Sequence, residues 1–252
     1  MFSLIAYYEA QDGAAALHNV AAIQDQHVKA SGDYVYIPKA MPNIIGKACL
    51  SNADAALTLA RLNSPSLRRI AYPEIEPIVA AVTFGSPPEG ILHPECPIPV
   101  DPDEGLAFEI NSDETADSST EYGLVFLSDG PQAPVKGAIF PVRATAAITL
   151  SAGVWVNGNL TFSQSLPVGV YDIVGMRARG TNLVAARLVF NAYINRPGVV
   201  AVNAISDQDH FYTRYGHMGV FGRFDHTTPP TVDCLGVTDT SQIFIFDLMK
   251  IS

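Results

Sequence analysis

Charge is what this sequence has least of. Only 16% of its 252 residues are Asp, Glu, Lys or Arg, against the ~25% of an ordinary soluble domain, while 48% are apolar. A chain so short of polar side chains is expected to cover part of its surface against other subunits. Bases are scarcer still: 15 Lys and Arg stand against 25 Asp and Glu, and the first thirty residues hold one base, Lys29. No basic arm is available to neutralise phosphates, which argues against direct binding of nucleic acid.

Cysteine is sparse as well. Cys49, Cys96 and Cys234 are odd in number and show no CxxC spacing, so neither a disulfide framework nor a zinc knuckle is supported. The expectation is free, buried thiols in a reducing compartment. No run of eighteen apolar residues occurs, and Met1 to Glu9 lacks a charged lead before its apolar stretch. A protein made in the cytoplasm, without a transmembrane helix, is expected.

Catalytic motifs are missing too. Gly85-Ser86-Pro87-Pro88-Glu89-Gly90 lacks the spacing of a nucleophile elbow, and no glycine-rich phosphate loop is present. His210, His217 and His226, with Asp207, Asp209 and Asp225, are the one concentration of possible metal ligands. Their spacing does not place two imidazoles on one helical or strand face, so they read as solvated loop or interface histidines. His18, His27 and His93 are scattered, and Asp101, Asp103 and Glu104 read as a solvated acidic loop. No catalytic residue, cofactor or metal is expected.

What the sequence does have is a repeat. Ile37-Pro38 and Asn43-Ile44-Ile45-Gly46 recur as Leu166-Pro167 and Asp172-Ile173-Val174-Gly175 at a constant offset of 129 residues. Further on, Ala60-Arg61-Leu62 answers to Ala186-Arg187-Leu188 at an offset of 126, the length change falling between Ser51-Asn52-Ala53-Asp54 and Arg179-Gly180-Thr181-Asn182. Both segments carry turn-forming residues, where a length change is tolerated. Each copy closes on a hairpin-like pair of apolar runs, Leu106 to Ile110 with Tyr122 to Leu127, and Val232 to Val237 with Ile243 to Leu248. Ser128-Asp129-Gly130-Pro131-Gln132-Ala133-Pro134 reads as the linker, which sets two units over 1–130 and 131–252.

Short β-branched and aromatic runs, broken every eight to twelve residues by Gly, Pro, Asn and Asp, predict an all-β fold of two tandem sandwiches. One segment departs from that pattern. From Asp12 to Lys29 the chain is Ala-rich, with Leu17, Val20, Ala21 and Val28 near helical spacing and Gly32 beyond, which predicts one short N-terminal helix. Between Arg196 and Pro230, Phe211, Tyr212, Tyr215, Phe221 and Phe224 alternate with Asp, His and Arg. Such rings serve as contacts between chains or as core packing, and the sequence leaves both open.

Two tandem β units, a short leading helix, low charge and no catalytic constellation together resemble the double jelly-roll major capsid proteins of icosahedral DNA viruses. In size the chain is similar to the small members found in membrane-containing bacteriophages. The resemblance covers the full length and rests on the repeat from Ile37 to Leu62 and Leu166 to Leu188 and on the two closing strand pairs. It implies a jelly-roll fold and a homotrimer packed as a pseudo-hexagonal block against neighbouring capsomers. It also implies a place in the virion after synthesis in the host cytoplasm, with minor capsid or membrane proteins as further partners. A virion spike, fibre head or receptor-binding module built from the same sandwiches is the alternative. A two-domain cupin metalloenzyme fits less well: Pro167-Val168-Gly169 resembles its second motif, but Asp172 stands where that motif carries a histidine ligand.

Overall fold

A computed structural model describes residues 1–10, 16–52, 57–79, 84, 91–111, 119–191, 193–202 and 212–252. Among them, eleven strands precede residue 129: β1 Phe2–Ala10, β2 His18–Ala22, β3 Ala30–Ser31, β4 Tyr34–Tyr36, β5 Asn43–Ser51, β6 Leu59–Asn63, β7 Glu74–Ile75, β8 Ile78–Val79, β9 Ile98–Pro99, β10 Gly105–Asn111 and β11 Thr120–Ser128. Nine follow: β12 Phe140–Ala146, β13 Val156–Gly158, β14 Thr161–Phe162, β15 Val170–Arg179, β16 Leu183–Val189, β17 Gly198–Val200, β18 Gly222–Asp225, β19 Thr231–Gly236 and β20 Gln242–Lys250. Leu67–Arg69 forms a 3-10 turn. The fold is all-β.

The strands stack as four layers. In the first, β10 carries β2 and β4 along one side and β6 along the other, with β7 beyond β6. In the second, the order is β1–β11–β5–β8. The third runs β13–β19–β16–β17 and the fourth β14–β12–β20–β15–β18. The far end of β1 pairs with β2 at Tyr7 and Tyr8, so the first two layers form one backbone network. Among the described residues, no ladder joins a strand up to Ser128 to one from Phe140 onward.

Side-chain alternation decides how the layers pack. Ile5 and Tyr7 of β1, Val125 and Leu127 of β11, and Ile44 and Cys49 of β5 meet Val20, Leu62, Leu106, Phe108 and Ile110 in a core between the first and second layers. The opposite face of that second layer carries Phe2, Leu4, Ala6, Ala48, Leu50, Leu124 and Phe126, also buried. Those residues join a larger cluster with both faces of the third layer and the inner face of the fourth, from Val184, Ala185 and Leu235 through to Phe244 and Phe246. Burying one such Leu or Phe is worth about 1.5–3 kcal/mol, and the two middle layers are buried on both sides. Only the first and fourth layers keep an outer face.

The register of β5 and β15 contains the same irregularity. Against β11, Ile44 pairs with Leu127 and Gly46 with Phe126, leaving Ile45 as an extra residue. Against β20, Ile173 pairs with Leu248 and Gly175 with Asp247, leaving Val174 as the extra residue. Such a bulge turns one more side chain inward and sharpens the twist. The glycine after it admits a close neighbour: a Cβ at Gly46 would lie 2.5 Å from Leu92 Cδ2, and one at Gly175 2.3 Å from Asp247 Oδ2 and 3.0 Å from the Arg214 Cα.

Three expectations are corrected. The helix over Asp12 to Lys29 is absent from its described part, where β2 holds His18–Ala22 and residues 11–15 lie outside the described residues. Val20 and Ala22 point inward at strand spacing, and pairing to both β1 and β10 outweighs the helical preference of an Ala-rich run. Nor do the closing strand pairs form hairpins: β10 does not pair with β11, nor β19 with β20, and the members of each pair lie in different layers. Finally, Cys49 and Cys234 are buried but Cys96 is exposed, because it follows a turn on the loop after Leu92 rather than a strand.

If the bulge glycines are required for close approach, Gly46→Ala and Gly175→Ala should each lower stability by about 1–3 kcal/mol, as overpacking does. Urea denaturation measures this, and wild-type midpoints would contradict the packing described.

Candidate assembly surfaces

The second and third layers meet along the edge of β1 that β11 leaves open. There the Leu4 N–H donates to the Arg196 carbonyl at 2.9 Å, and the Leu4 carbonyl accepts from Arg187 Nη1 at 3.1 Å. Asn195 Nδ2 donates to the Phe2 carbonyl at 3.3 Å, and the Arg196 N–H to Ser3 Oγ at 2.8 Å. Phe2 and Phe221 meet edge-on with ring centroids 4.9 Å apart. Farther along, the Tyr122 hydroxyl donates to the Gly236 carbonyl at 3.2 Å and accepts from the Gly153 N–H at 3.1 Å. Backbone groups on an open strand edge are thereby satisfied rather than left to pair with another chain.

Arg187 is the charged centre of this junction. Its side chain is 3% exposed; Nε donates to Asp233 Oδ2 at 3.0 Å and Nη1 to the Asp25 carboxylate, itself 6% exposed. The guanidinium carbon sits 4.1 Å from the centroid of the Trp155 ring, a cation–π contact. Arg187 and Asp233 lie on paired strands of the third layer, whereas Asp25 arrives from the segment after β2. The pair therefore ties the two sets of strands together. Beside it, Arg196 donates to His27 Nε2, and a cleft of about 400 Å³ opens between Gln24, His27, Trp155, Asn157 and Arg196.

Arg61 has the same surroundings without the cover. Paired strands β6 and β10 set it opposite Glu109, to which its Nε donates, and its guanidinium lies 4.5 Å from the Tyr72 ring. Its side chain is 24% exposed. Apart from that ion pair, the terminal nitrogens of Arg61 make no hydrogen bond to the described residues. The neighbouring outward positions of this first layer are Asn19, Leu59, Asn63 and Asn111.

The outer face of the fourth layer is divided. At one end the loop after Tyr212 covers it, where Arg214 Nε and Nη2 donate to the two Asp247 oxygens at 2.7 and 2.8 Å and the Tyr215 N–H to Oδ2 at 2.9 Å. At the other end, Arg143, Arg177, Arg179, Ile243 and Ile245 line a shallow depression of about 300 Å³. Three arginines on one sheet face stand out in a chain of net charge −10.

The aromatic segment divides in the same way. Phe221 and Phe224 are buried, Phe224 stacking with Phe162 and Tyr171, so they follow the core alternative. Tyr212 is half-buried and edge-on to His217. Tyr215 is 47% exposed at a φ of 58°, and Phe211 and His210 lie outside the described residues. His226 lies 3.1 Å from the Asp225 carboxylate, and no group of three metal-type side chains occurs among the described residues. Asp172 holds Arg223 through bonds of 2.6 and 2.9 Å. Sequence reading missed Arg187 with Asp25; the match of Ala186-Arg187-Leu188 to Ala60-Arg61-Leu62 was the available signal.

His27 and His93 are both held below the ordinary histidine range, chiefly by burial. Arg196 adds to this at His27, and Lys47 at His93. The unfolded chain takes up these protons near pH 6.5, while the folded chain resists them. Stability is then full above that pH and is lost as pH falls below it. Urea midpoints should fall between about pH 7 and pH 5, and His27→Gln with His93→Gln should flatten the slope; an unchanged slope would contradict the assignment. Arg187→Met would strand the Asp25 and Asp233 carboxylates, and an uncompensated buried charge costs about 3–5 kcal/mol. Chemical denaturation checks this, and a loss under ~1 kcal/mol would show the pair to be solvated.

No protein-family model and no curated protein matches this chain. Among solved structures, the crystal structure of the major capsid protein P2 from bacteriophage PM2 aligns over 100% of this chain and 98% of that one, at 10% identity and a TM-score of 0.25. A superposition of that quality carries no argument about fold or function.

Proposed function

We propose that this chain is the structural subunit of an icosahedral virus shell, built from two tandem jelly rolls over residues 1–130 and 131–252 that arose by duplication. The observation that carries the reading is the strand order. A jelly roll is two four-stranded sheets from two Greek keys. The orders β1–β11–β5–β9 and β12–β20–β15–β18 correspond strand for strand, β9 and β18 both pairing antiparallel with the start of the bulged strand, as do β2–β10–β6–β7 and β13–β19–β16–β17. The bulges at Ile45 and Val174 sit at the repeat's own offset, and the Arg–carboxylate–aromatic groups at Arg61 and Arg187 fall on equivalent strands.

Function follows from how such a chain fills space. The resemblance to double jelly-roll capsid proteins implies a trimer, in which three chains supply six similar sandwiches and so occupy a position of near-sixfold symmetry. Sparse charge and two large outer sheet faces suit a subunit covered on several sides by neighbours. Buried Arg187 is engaged with Asp233 and Asp25 in ion pairs that tie the two sets of strands together, which favours a structural use of this charge. Among the described aromatics of that segment Tyr215 is the exposed one, which supports a contribution to contacts between chains.

Native mass spectrometry of the purified protein should give a trimer, and negative-stain electron microscopy at high concentration should give hexagonal sheets or closed shells. A discrete trimer that never forms a lattice would favour the spike or fibre-head alternative instead. A monodisperse monomer at high concentration would overturn the reading.

A further inference from the structure

We infer that the cleft beside Arg187 and Arg196 binds an acidic sugar, a pyranose ring that carries a carboxylate as uronic acids do. Its walls bring together a guanidinium edge that no carboxylate occupies, an aromatic flank, and amides with hydrogen-bonding groups left over. At about 400 Å³ the cleft falls within the size range of small-molecule sites. Such a site stands whether or not the chain builds a shell.

The Nε and Nη2 edge of a guanidinium presents two parallel donors to the two oxygens of a carboxylate. Arg214 and Arg223 use that edge so, on Asp247 and Asp172. Arg196 does not. Its Nη1 donates to the Tyr193 and Asn195 carbonyls at 2.8 and 3.2 Å, its Nη2 donates to His27 Nε2, and its buried Nε has no acceptor among the described residues. Arg196 is 6% exposed, and a buried charge without a close partner of opposite sign is unfavourable. The neighbouring carboxylates are already engaged: Asp25 accepts from Arg187 and the His27 N–H, and Asp233 accepts from Arg187 and Asn157. A neutral imidazole thus occupies an edge that suits a carboxylate better, and His27 is exposed enough to swing aside.

The other walls select a sugar over a bare anion. Trp155 lines the cleft half-buried, and its indole N–H has no acceptor among the described residues. An indole gives apolar area for the C–H side of a pyranose and one donor for a hydroxyl. Asn157 Nδ2 is fixed on Thr231 Oγ1 and Asp233 Oδ1 at 3.0 and 2.8 Å, which leaves its Oδ1 as an oriented acceptor. Gln24 and Gln26 add rim amides whose side chains make no hydrogen bond among the described residues. Because Asn157 and Arg196 are held by partners of their own, little ordering is lost when a ligand arrives. Binding a carboxylate would release His27 from Arg196. The charged groups facing this imidazole are Arg196 and Arg187, which disfavour its protonation, and Asp25 and Asp233, which favour it. Released and set beside a ligand carboxylate, His27 takes up a proton more readily, so affinity rises as pH falls through the histidine range.

Calorimetric titration of the purified full chain tests the site with galacturonate, glucuronate and mannuronate, each beside its neutral parent sugar, and with acetate. At least one uronate should saturate one site per chain, about tenfold tighter than its parent sugar or acetate, as a charge-assisted pair on an oriented ring provides. Its affinity should rise between about pH 7.5 and pH 5.5. His27→Ala should bind that uronate more tightly than wild type and lose the pH dependence, which a merely structural role for His27 would not produce. Asn157→Ala should weaken the uronate about fivefold and leave acetate unchanged, with a wild-type melting curve. Arg196→Lys keeps the charge and removes the paired donors, and should weaken the uronate further; if that variant melts early, His27→Ala decides. An oligomer of the bound uronate, tighter than or equal to the single sugar, tells a polysaccharide ligand from a single unit, and either upholds the site. Acetate as tight as the uronate would overturn the sugar assignment, and a neutral sugar as tight would overturn the role of Arg196. Saturation by none of the three uronates would overturn the site.

Discussion

A sheet with apolar side chains on both faces must be covered on both. That constraint governs this chain, because β1, β11 and β5 alternate Phe2, Leu4, Ala6, Leu124 and Phe126 on one side with Ile5, Tyr7, Val125 and Leu127 on the other. Exposing either set would forfeit several large side chains, each worth about 1.5–3 kcal/mol when buried. The first layer covers one side and the third layer the other. The third layer, apolar on both sides in its turn, requires the fourth. A four-layer stack is the outcome.

Charge at the junction fixes how the layers sit rather than whether they stick. Apolar area is non-directional, so a sheet on a sheet could slide by a residue pair at little cost. Arg187 removes that freedom: one end is held by Asp233 on its own sheet, and the other reaches the Leu4 carbonyl and Asp25. A displaced register would leave a buried guanidinium or carboxylate alone, a costly state. The backbone bonds from Leu4 to Arg196 and from Tyr122 to Gly236 add fixed points along the same seam.

Much of the secondary structure was legible in the residues. The words around Gly46 and Gly175, spaced by 129, mark the strands that bulge one residue earlier, because a bulge followed by a close approach demands glycine. The apolar runs of β10, β11, β19 and β20 were also plain. Which sheet each strand joins was not, since a turn such as Thr238 to Ser241 fits an arch between layers as well as a hairpin within one. β2 was misread because Ala and Val at positions 20 to 22 satisfy helical and strand spacing alike, and pairing on both sides decides between them. At the candidate surfaces, Phe221 and Phe224 turned inward, while Arg187 and Asp25 are 162 residues apart and meet only through the stack. No local pattern encodes a contact of that range.

The central claim is that two middle sheets, apolar on both faces, are covered within one chain by the sheets on either side. A cryo-electron microscopy reconstruction of the purified protein tests it most directly. The account predicts that β1, β11 and β5 of each chain are covered by that chain's own β16 and β19. A particle in which those faces are covered by a neighbouring chain, or left open to solvent, would contradict it.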